Sequence, residues 1–500
     1  MATHQIAVEQ IAKVVRDIYN RRESYRIFHG STNSTRPQHG VKTIDISALS
    51  NVIEVNRDSS SVLVEPNVPM DKLIASTLRH GLIPPVVMEF PGITVGGGYN
   101  GSAGESSSFK HGYFDETVCS VEMVLGNGDI VKASKDENAD LFRGAAGALG
   151  TLGITTLLQL RLIPAKRFVH TFYQETSSIK ETIDMVKAET ASADNDYVDA
   201  VMFSNTFGVI VTGKQTDDLP DGVRPQTFSG AWDPWYYLHV KNKGNSAKDS
   251  QPTSDYIPLP EYLFRWDRGG FWVGNRAFDY FGLVPFNSLS RWFLNDFMHT
   301  RMLYRALHSG NQSFGFMVQD ISLPYPTAES FIRYTSNKLD IWPLWLCPLR
   351  EVSEPTFHPS TKLPGPESSP KPMLNIGLWG PAAQDISSFV RQNRDLERTL
   401  EELGGRKVLY AHTYYSEDEF WKLYDRKWYD DLRKKYWAES LPTVYDKIKV
   451  DYRKHGQRLT WSSWLKSCWP VPGILGVIAA IRSKDYLLHR NAPWKNISSQ

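Results

Sequence analysis

The sequence predicts an α+β protein in two parts. A compact unit of short strands and helices comes first, and a cap built of an antiparallel sheet with helices follows it. Three observations carry this expectation. Three glycine-rich loops lie between short strand-like runs within residues 1–166. After Arg167 the pattern changes to longer strand–helix–strand elements. Trp232, Trp235, Tyr236, Tyr237, Phe264, Trp266, Phe271 and Trp272 then crowd into residues 231–272. A chain of 500 residues suits two or more domains. With 41% hydrophobic and 22% charged residues it reads as an ordinary globular protein. A net charge of +1 supplies no global field for nucleic acid.

The elements follow in order. Ile11, Val14, Val15 and Ile18 share a helical face, which predicts a helix over 6–22. The small-polar loop Phe28–Arg36 carries one glycine and several hydroxyl donors. Short alternating strands are expected at 43–46, 52–55 and 62–65. A helix is expected over 69–80, with Pro69 near its start and Gly81 at its stop. Leu73, Ile74, Thr77 and Leu78 face inward in it.

Residues 91–108 form the second loop, Pro-Gly-Ile-Thr-Val-Gly-Gly-Gly-Tyr-Asn-Gly-Ser-Ala-Gly-Glu-Ser-Ser-Ser. Glycines let a ligand approach bare main chain. Consecutive exposed N–H groups form a concave anion site. The spacing Gly96-x-Gly98-x-x-Gly101 also satisfies a dinucleotide fingerprint. That fingerprint needs a helix opening in the glycine run, and residues 102–112 hold too many poor helix formers. A phosphate-cradling loop is therefore expected here, and no Rossmann turn.

A strand at 118–125 and a turn at 126–129 lead into Ile130 and Val131. Asp140-Leu141-Phe142 precedes the third glycine-rich piece, 147–153, and a strand over 154–163 ends at Pro164. Each loop alone has a bland explanation as flexible chain. Three in one small unit predict a large ligand with two phosphates, gripped from several sides.

In the second part, strands are expected at 314–320, 341–349 and 373–379, with helices near 326–338 and 383–403. The Pro/Ser-rich stretch 360–372 reads as a surface excursion. Such a sheet with helices on one side suits a cap, and planar apolar ligands bind at such domain interfaces. The expected division is 1–166, 167–445 and a C-terminal extension, 446–500.

That extension has two readings. Lys447, Lys449, Arg453, Lys454 and Arg458 precede Trp461, Trp464 and Trp469, then the apolar run 471–481. This composition suits peripheral membrane contact by a helix lying in the lipid surface. It equally suits a helix packed on the cap. Pro470, Pro472 and the shortness of the run oppose a spanning helix. Cys119, Cys347 and Cys468 are odd in number and far apart, which fits a reducing compartment and neither a disulfide framework nor a zinc site. The first ten residues lack an apolar signal core, so no secretory signal is expected.

The order of these features resembles the FAD-binding domain of the vanillyl-alcohol oxidase/PCMH type, a fold of two α/β subdomains. The resemblance is closer to the Δ24-sterol reductases. It rests on Thr94-Val95-Gly96-Gly97, Glu105-Ser106-Ser107-Ser108, Asp136-Glu137-Asn138 before Asp140-Leu141-Phe142, and Gly150-Thr151-Leu152-Gly153. It continues through Ile163-Pro164-Ala165-Lys166, Val318-Gln319-Asp320, Trp345-Leu346-Cys347-Pro348, Leu409-Tyr410-Ala411 and Glu419-Phe420-Trp421. The chain departs from the family at both ends. Against the resemblance, no N-terminal membrane segment of the kind those reductases usually carry is expected in these residues, and an added C-terminal extension is expected beyond about 450.

The resemblance implies FAD contacts in all three loops. In the first they are Gly30, Ser31, Thr32, Asn33 and Ser34. In the second they run from Thr94, Val95, Gly96, Gly97 and Gly98 through Gly101, Ser102, Ala103 and Gly104 to Glu105, Ser106 and Ser107. In the third they are Gly150, Gly153, Ile154 and Thr155. Several relatives attach the flavin through a histidine in the first loop. Asn33 stands at that place here, which implies non-covalent FAD.

The implied reaction reduces an isolated carbon–carbon double bond of a sterol or isoprenoid, with NADPH as a transient electron donor. It implies an intracellular site, in the cytoplasm or on the cytoplasmic face of the endoplasmic reticulum membrane. An oxidase of the same fold acting on an alcohol or lactone is the first alternative, and a redox-inactive lipid-binding relative is the second. Reduction needs a hydride at one carbon and a proton at the other. Candidate donors are Tyr410, Asp320, His412 and Tyr414. Residues 408–414 alternate, so Tyr410, His412 and Tyr414 are expected on one strand face. Each could instead be a core ring, and Asp320 could be a turn cap. No metal site is expected.

Overall fold

The protein is described by a computed structural model over residues 1–30, 42–246, 252–282, 284–309, 315–352, 356–359, 372–383, 385–450 and 471–496. The expected contacts Ser31, Thr32, Asn33 and Ser34 lie outside these residues, as do Arg453, Lys454, Arg458 and the three tryptophans at 461, 464 and 469. Most of the 360–372 excursion also lies outside them.

The first helix spans Ala2–Asn20. Its buried stripe is Val8, Ile11, Val15 and Ile18, whereas Val14 faces solvent. The 3.6-residue period carries Val14 off the stripe that the sequence assigned to it. Strands β1 (Arg26–Phe28) and β2 (Thr43–Asp45) form a small parallel pair. Next come β3 (Val52–Asn56), β4 (Ser61–Val64), β5 (Leu82–Ile83), β6 (Val118–Leu125), β7 (Ile130–Ser134), β8 (Gly153–Arg161) and β9 (Ile163–Pro164). Five of them make an antiparallel sheet in the order β3-β4-β8-β6-β7. The helix Met70–Leu78 packs with Leu73, Ile74 and Thr77 fully buried. Gly81 follows it at φ +70°, a left-handed stop that suits glycine.

The second sheet uses β10 (Phe168–Thr176), β11 (Tyr197–Ser204), β12 (Phe207–Thr216), β13 (Thr253–Pro258), β14 (Phe316–Pro324), β15 (Leu344–Arg350), β16 (Pro372–Pro381) and β17 (Arg406–Lys407). Its order is β13-β10-β12-β11-β15-β16-β14-β17, antiparallel throughout. Side chains alternate across it. Leu344 and Leu346 point into a core shared with the helices Ile179–Glu189, Tyr325–Lys338 and Ile386–Glu402. Trp345, Cys347 and Leu349 point the other way, into a core continuous with the first unit. The sheet is therefore buried on both faces, and one face closes over the glycine loops.

The chain then returns to the first unit. In the helix Arg426–Lys435, Tyr429 Oη donates to Thr151 Oγ1 at 2.7 Å and Arg433 reaches the Thr151 carbonyl at 3.3 Å. The helix Val471–Ser483 packs on the helix Thr300–Ser309, where a Cβ on Gly476 would lie 2.5 Å from the Ala306 carbonyl oxygen. Among the described residues no helix is long and apolar enough to cross a membrane.

A buried ion cluster fastens the eight-stranded sheet to the glycine–serine loop. The Arg265 guanidinium is 3.0 Å from Asp199 Oδ2 on β11, 3.2 Å from Ser106 Oγ and 3.7 Å from Glu105 Oε2 in the glycine–serine loop. Burial pushes both carboxyls above their usual range, and the arginine beside them opposes that shift. Replacing Arg265 with Met leaves two carboxyl groups unpaired in the interior. The expected cost in urea unfolding is about 3–5 kcal/mol. The loss should be larger at pH 8 than at pH 5, because the stranded carboxylates take up protons in acid.

Candidate active site

The glycine run folds differently from the sequence expectation. Thr94 caps a short helix, Val95–Asn100, by accepting a hydrogen bond from the Gly97 N–H at 3.2 Å. A helix does open inside the run, and the glycines are what allow it. A Cβ on Gly96 would meet Pro66 at 2.7 Å, and one on Gly98 would meet Met88 Cε at 2.5 Å. Only a helix without side chains on that face fits against these neighbours. The surrounding strands are antiparallel, so the unit is still no Rossmann fold.

A cavity of about 410 Å³ lies between the glycine loops and the cap sheet. That size suits a cofactor-and-substrate pocket. Its first end is lined by Gly96, Gly97, Gly101 and Gly150, with Arg26, His29 and Lys447 around them. Asn100 Oδ1, Ser102 Oγ and Thr155 Oγ1 line the same cavity as buried polar atoms without hydrogen-bond partners. Unsatisfied buried groups are costly, so they mark places where a ligand's polar atoms complete the site. Bare glycine main chain, orphaned donors and acceptors, and nearby cations together fit the phosphates and ribityl hydroxyls of FAD. Ser102, Leu149 and Phe271 line the cavity with φ between +53° and +60°, a left-handed conformation that non-glycine residues rarely hold. Such strain gathers at ligand sites.

The other end is built by three neighbouring strands. Phe316, Val318 and Asp320 of β14, Asn375 and Trp379 of β16, and Trp345, Cys347 and Leu349 of β15 are alternate residues sharing the cavity face. The register sets Asp320 and Trp345 on either side of Gly377. A Cβ there would lie 2.5 Å from the Trp379 ring, so glycine lets the indole lie flat on the sheet. Phe271 packs 4.3 Å from Trp379 and 5.3 Å from Trp345, centroid to centroid. Phe90 and Tyr304 extend this aromatic wall.

Proton-bearing groups face the aromatic chamber. Tyr410 Oη donates to Asp320 Oδ2, and Asn375 Nδ2 donates to Asp320 Oδ1 at 2.9 Å. Burial raises the Asp320 carboxyl to about 6, while the bonds from Tyr410, Asn375 and Trp379 hold it lower than burial alone would. Burial, and then the charge of Asp320, push the Tyr410 phenol well above its ordinary value. Glu89 is half-buried and lines the cavity. Burial, then the charge of Glu105, raises its carboxyl to about 8.

The sequence-predicted residues divide accordingly. Thr94, Gly96, Gly97, Gly101, Ser102, Ala103, Gly104, Gly150 and Thr155 line the cavity. Val95, Gly98, Gly153 and Ile154 stand behind its wall. Val95 and Ile154 are core residues, Gly98 packs on Met88, and a Cβ on Gly153 would strike the Val124 carbonyl. Glu105, Ser106 and Ser107 are also set back, because Glu105 and Ser106 bond into the Arg265 cluster and Ser107 Oγ donates to the Pro85 carbonyl. Gly30 turns the chain at φ +72° beside Ser47 and is not a lining residue, whereas His29 is.

Of the four proposed donors, Asp320 and Tyr410 meet in the cavity, and His412 and Tyr414 do not line it. The expected strand is a turn at Val408–Ala411, so the shared face never forms. Lys407 Nζ bonds to Glu397 and to the His412 carbonyl, and the Tyr414 N–H bonds to Glu397 Oε1, which draws that segment away. The aromatic cluster at 231–272 is mostly core, with Trp235, Tyr236 and Trp266 fully buried and Phe271 reaching the cavity.

Sequence reading missed Glu89, Tyr304, Asn375 and Lys447. Glu89 had a signal, as the lone acid in the apolar run Pro84–Phe90. Its folded-state value lies above its ordinary 4.5, so the stabilising contribution of its neutral form is present below about pH 4.5 and is lost as pH rises through about 8. Glu89→Gln should match the parent in thermal unfolding at pH 5 and exceed its Tm by roughly 5 °C at pH 9. Equal Tm values at pH 9 would contradict a neutral Glu89.

Comparison with known proteins agrees with this geometry. Residues 7–134 match the FAD binding domain family. The chain is 30% identical over 413 residues to Delta(24)-sterol reductase of Mus musculus, covering 80% of this chain and 76% of that protein. It is 25% identical over 442 residues to Delta(24)-sterol reductase of Pisum sativum, covering 81% and 76%. A partial match, 29% over 159 residues, links it to Cytokinin dehydrogenase 9 of Oryza sativa subsp. japonica, covering 31% and 30%. The reductase matches are far longer than the first unit and so extend into the cap that carries the aromatic chamber, and the chain belongs to the Delta(24)-sterol reductase family.

Proposed function

We propose that the protein reduces an isolated carbon–carbon double bond of a sterol or related isoprenoid, using FAD and taking electrons transiently from NADPH. The observation that carries this reading is one continuous cavity. Its glycine-lined, cationic end opens into an aromatic chamber that holds the Asp320–Tyr410 pair. FAD, when bound, supplies the two-electron carrier that delivers hydride to an alkene carbon.

The chain's own residues do the rest. Phe90, Phe271, Trp345 and Trp379 exclude water and present flat apolar surface to a hydrocarbon. Their ring faces also tolerate positive charge building on the more substituted alkene carbon. Asp320 and Tyr410 share a proton at the chamber wall, held in place by Asn375, and supply it to the second carbon. Glu89 is a second proton-bearing group facing the same chamber.

An anaerobic absorbance experiment tests this. NADPH should bleach the yellow protein, and a Δ24-sterol should restore the colour. Colour restored by air and not by sterol would favour the oxidase reading, and protein unable to take up FAD would end the catalytic reading. Tyr410→Phe and Asp320→Asn should each slow the sterol step by about 10²–10⁴-fold while bleaching by NADPH keeps its rate. The sterol step should fall as pH rises through about 6 if Asp320 is the titrating acid, and only near 8 if Glu89 is.

The substrate's partner surface is a membrane in this reading. The helix Val471–Ser483 turns Gly476 and Ala480 inward and exposes Ile474, Leu475, Ile478 and Ile481. Large aliphatics outside and small residues inside invert the usual soluble pattern. The short helix Ser288–Phe293 exposes Leu289 and Phe293 in the same way. The partner helix Thr300–Ser309 lines the cavity with Leu303 and Tyr304. Free thiols at Cys119 and Cys347 fit a reducing compartment, hence the cytoplasmic face of the endoplasmic reticulum. Replacing Ile474 and Ile478 with Asp should cut sedimentation with phosphatidylcholine–phosphatidylserine vesicles by about tenfold or more, since each loses the burial of a whole aliphatic side chain. Unchanged sedimentation would move the contact elsewhere.

A further inference from the structure

We propose that Lys447 is a cofactor-binding residue, whose ammonium group is brought from the far end of the chain to hold the diphosphate of the dinucleotide. The proposal rests on the reading of the cavity as an FAD site. In the sequence Lys447 opens a basic stretch that suits a membrane surface. The fold places it elsewhere. It lies on the helix Val444–Ile448, and its Nζ donates to the Leu149 carbonyl at 2.7 Å and approaches the Gly150 carbonyl at 3.5 Å. Leu149 and Gly150 are consecutive left-handed residues, at φ +55° and +68°, and both line the cavity beside Lys447.

The surrounding charges favour an anion at this end. His29 has its pKa lowered first by burial and then by the charge of Lys447, so it stays neutral. Lys447 and Arg26 are then the fixed cations there. Among the described lining residues the carboxyl groups are Glu89 and Asp320, and they belong to the aromatic end. An ammonium group against bare glycine main chain is a common way to hold phosphate oxygens.

The helix is also held firmly in place. Thr443 caps it through the Asp446 N–H at 3.0 Å, and Tyr429 Oη accepts from the Val444 N–H at 3.1 Å while donating to Thr151. The residues matching the FAD binding domain family, 7–134, stop far short of this strap. Lys447 therefore reaches the cavity from outside the matching segment.

The test uses the full chain stripped of flavin and titrated with FAD, read by quenching of flavin fluorescence, with ADP and adenosine as competitors. Lys447→Gln keeps a donor for the Leu149 carbonyl but removes the charge, and Lys447→Arg keeps the charge. The expected result is an FAD Kd about 10- to 100-fold weaker for the Gln variant and within about threefold of the parent for the Arg variant. Competition by ADP should weaken in the same ratio, and competition by adenosine should not change. An unchanged FAD Kd in the Gln variant would overturn the proposal. So would an equal loss of FAD, ADP and adenosine, which would make Lys447 a scaffold for the 149–150 turn alone. Failure of the parent chain to bind either FAD or ADP would overturn the cofactor reading together with it.

Discussion

The Arg265 guanidinium ties the eight-stranded sheet to the glycine–serine loop, and the cavity lies between that sheet and the glycine loops. It reaches Asp199 on β11 and the Glu105–Ser106 corner of the glycine–serine loop. Charges buried this deeply cost several kcal/mol each to desolvate, and only a well-formed set of partners offsets that. Any other docking of cap on loop would leave those partners unmatched. Trp345 joins the same cluster, donating its Nε1 hydrogen to Asp199 Oδ2 at 3.1 Å. Its ring lines the cavity, so the constraint that joins the units also orients the chamber wall. Asp71 and Arg301, 2.7 Å apart and buried, repeat the device between the first unit and the helix Thr300–Ser309.

Sheet geometry explains how one cavity has two such different ends. Strands β14, β15 and β16 are buried on both faces, so their alternate residues serve different masters. Met317, Leu346 and Ile376 anchor the sheet to its helices. Val318, Cys347, Asn375 and Trp379 are left to shape the cavity. Because that wall is a sheet, Asp320 is fixed by its strand, and Tyr410 reaches it from the turn at Val408–Ala411. The opposite wall is main chain, where glycine at 96, 97 and 101 keeps side chains out of the phosphate path. Cationic and glycine-lined at one end, aromatic and acid-bearing at the other, the cavity matches a dinucleotide meeting a hydrocarbon.

Much of this was legible in the residues. The strand at 118–125 and the glycine stop at 81 appear where pattern and turn chemistry place them. Helices over 326–338 and 383–403 appear as Tyr325–Lys338 and Ile386–Glu402. Asp320 and Tyr410 were both candidates, although for different local reasons. The errors have a common cause. Alternation in 408–414 was read as a strand, but Lys407 and Glu397 fold that segment into a turn. Poor helix formers at 102–112 argue against a helix opening in the glycine run, but one opens ahead of them at Val95–Asn100, where Pro66 and Met88 leave no room for side chains. Glu105 to Ser107 were assigned to the ligand, but a buried arginine 159 residues beyond Ser106 engages Glu105 and Ser106, and Ser107 bonds to the Pro85 carbonyl.

By itself the sequence determined the local grammar: where many strands and helices run, and where glycine bares the main chain. These follow from short-range sterics and periodicity, which neighbouring residues carry with them. Only the tertiary structure decided which residues meet. It brought Tyr410 to Asp320, gathered Glu89 and Tyr304 around the chamber, and swung Lys447 from a basic tail to the glycine end of the cavity. Pairings across 90 or 298 residues depend on how two sheets dock, and docking is set by buried charge and shape complementarity that no local window contains.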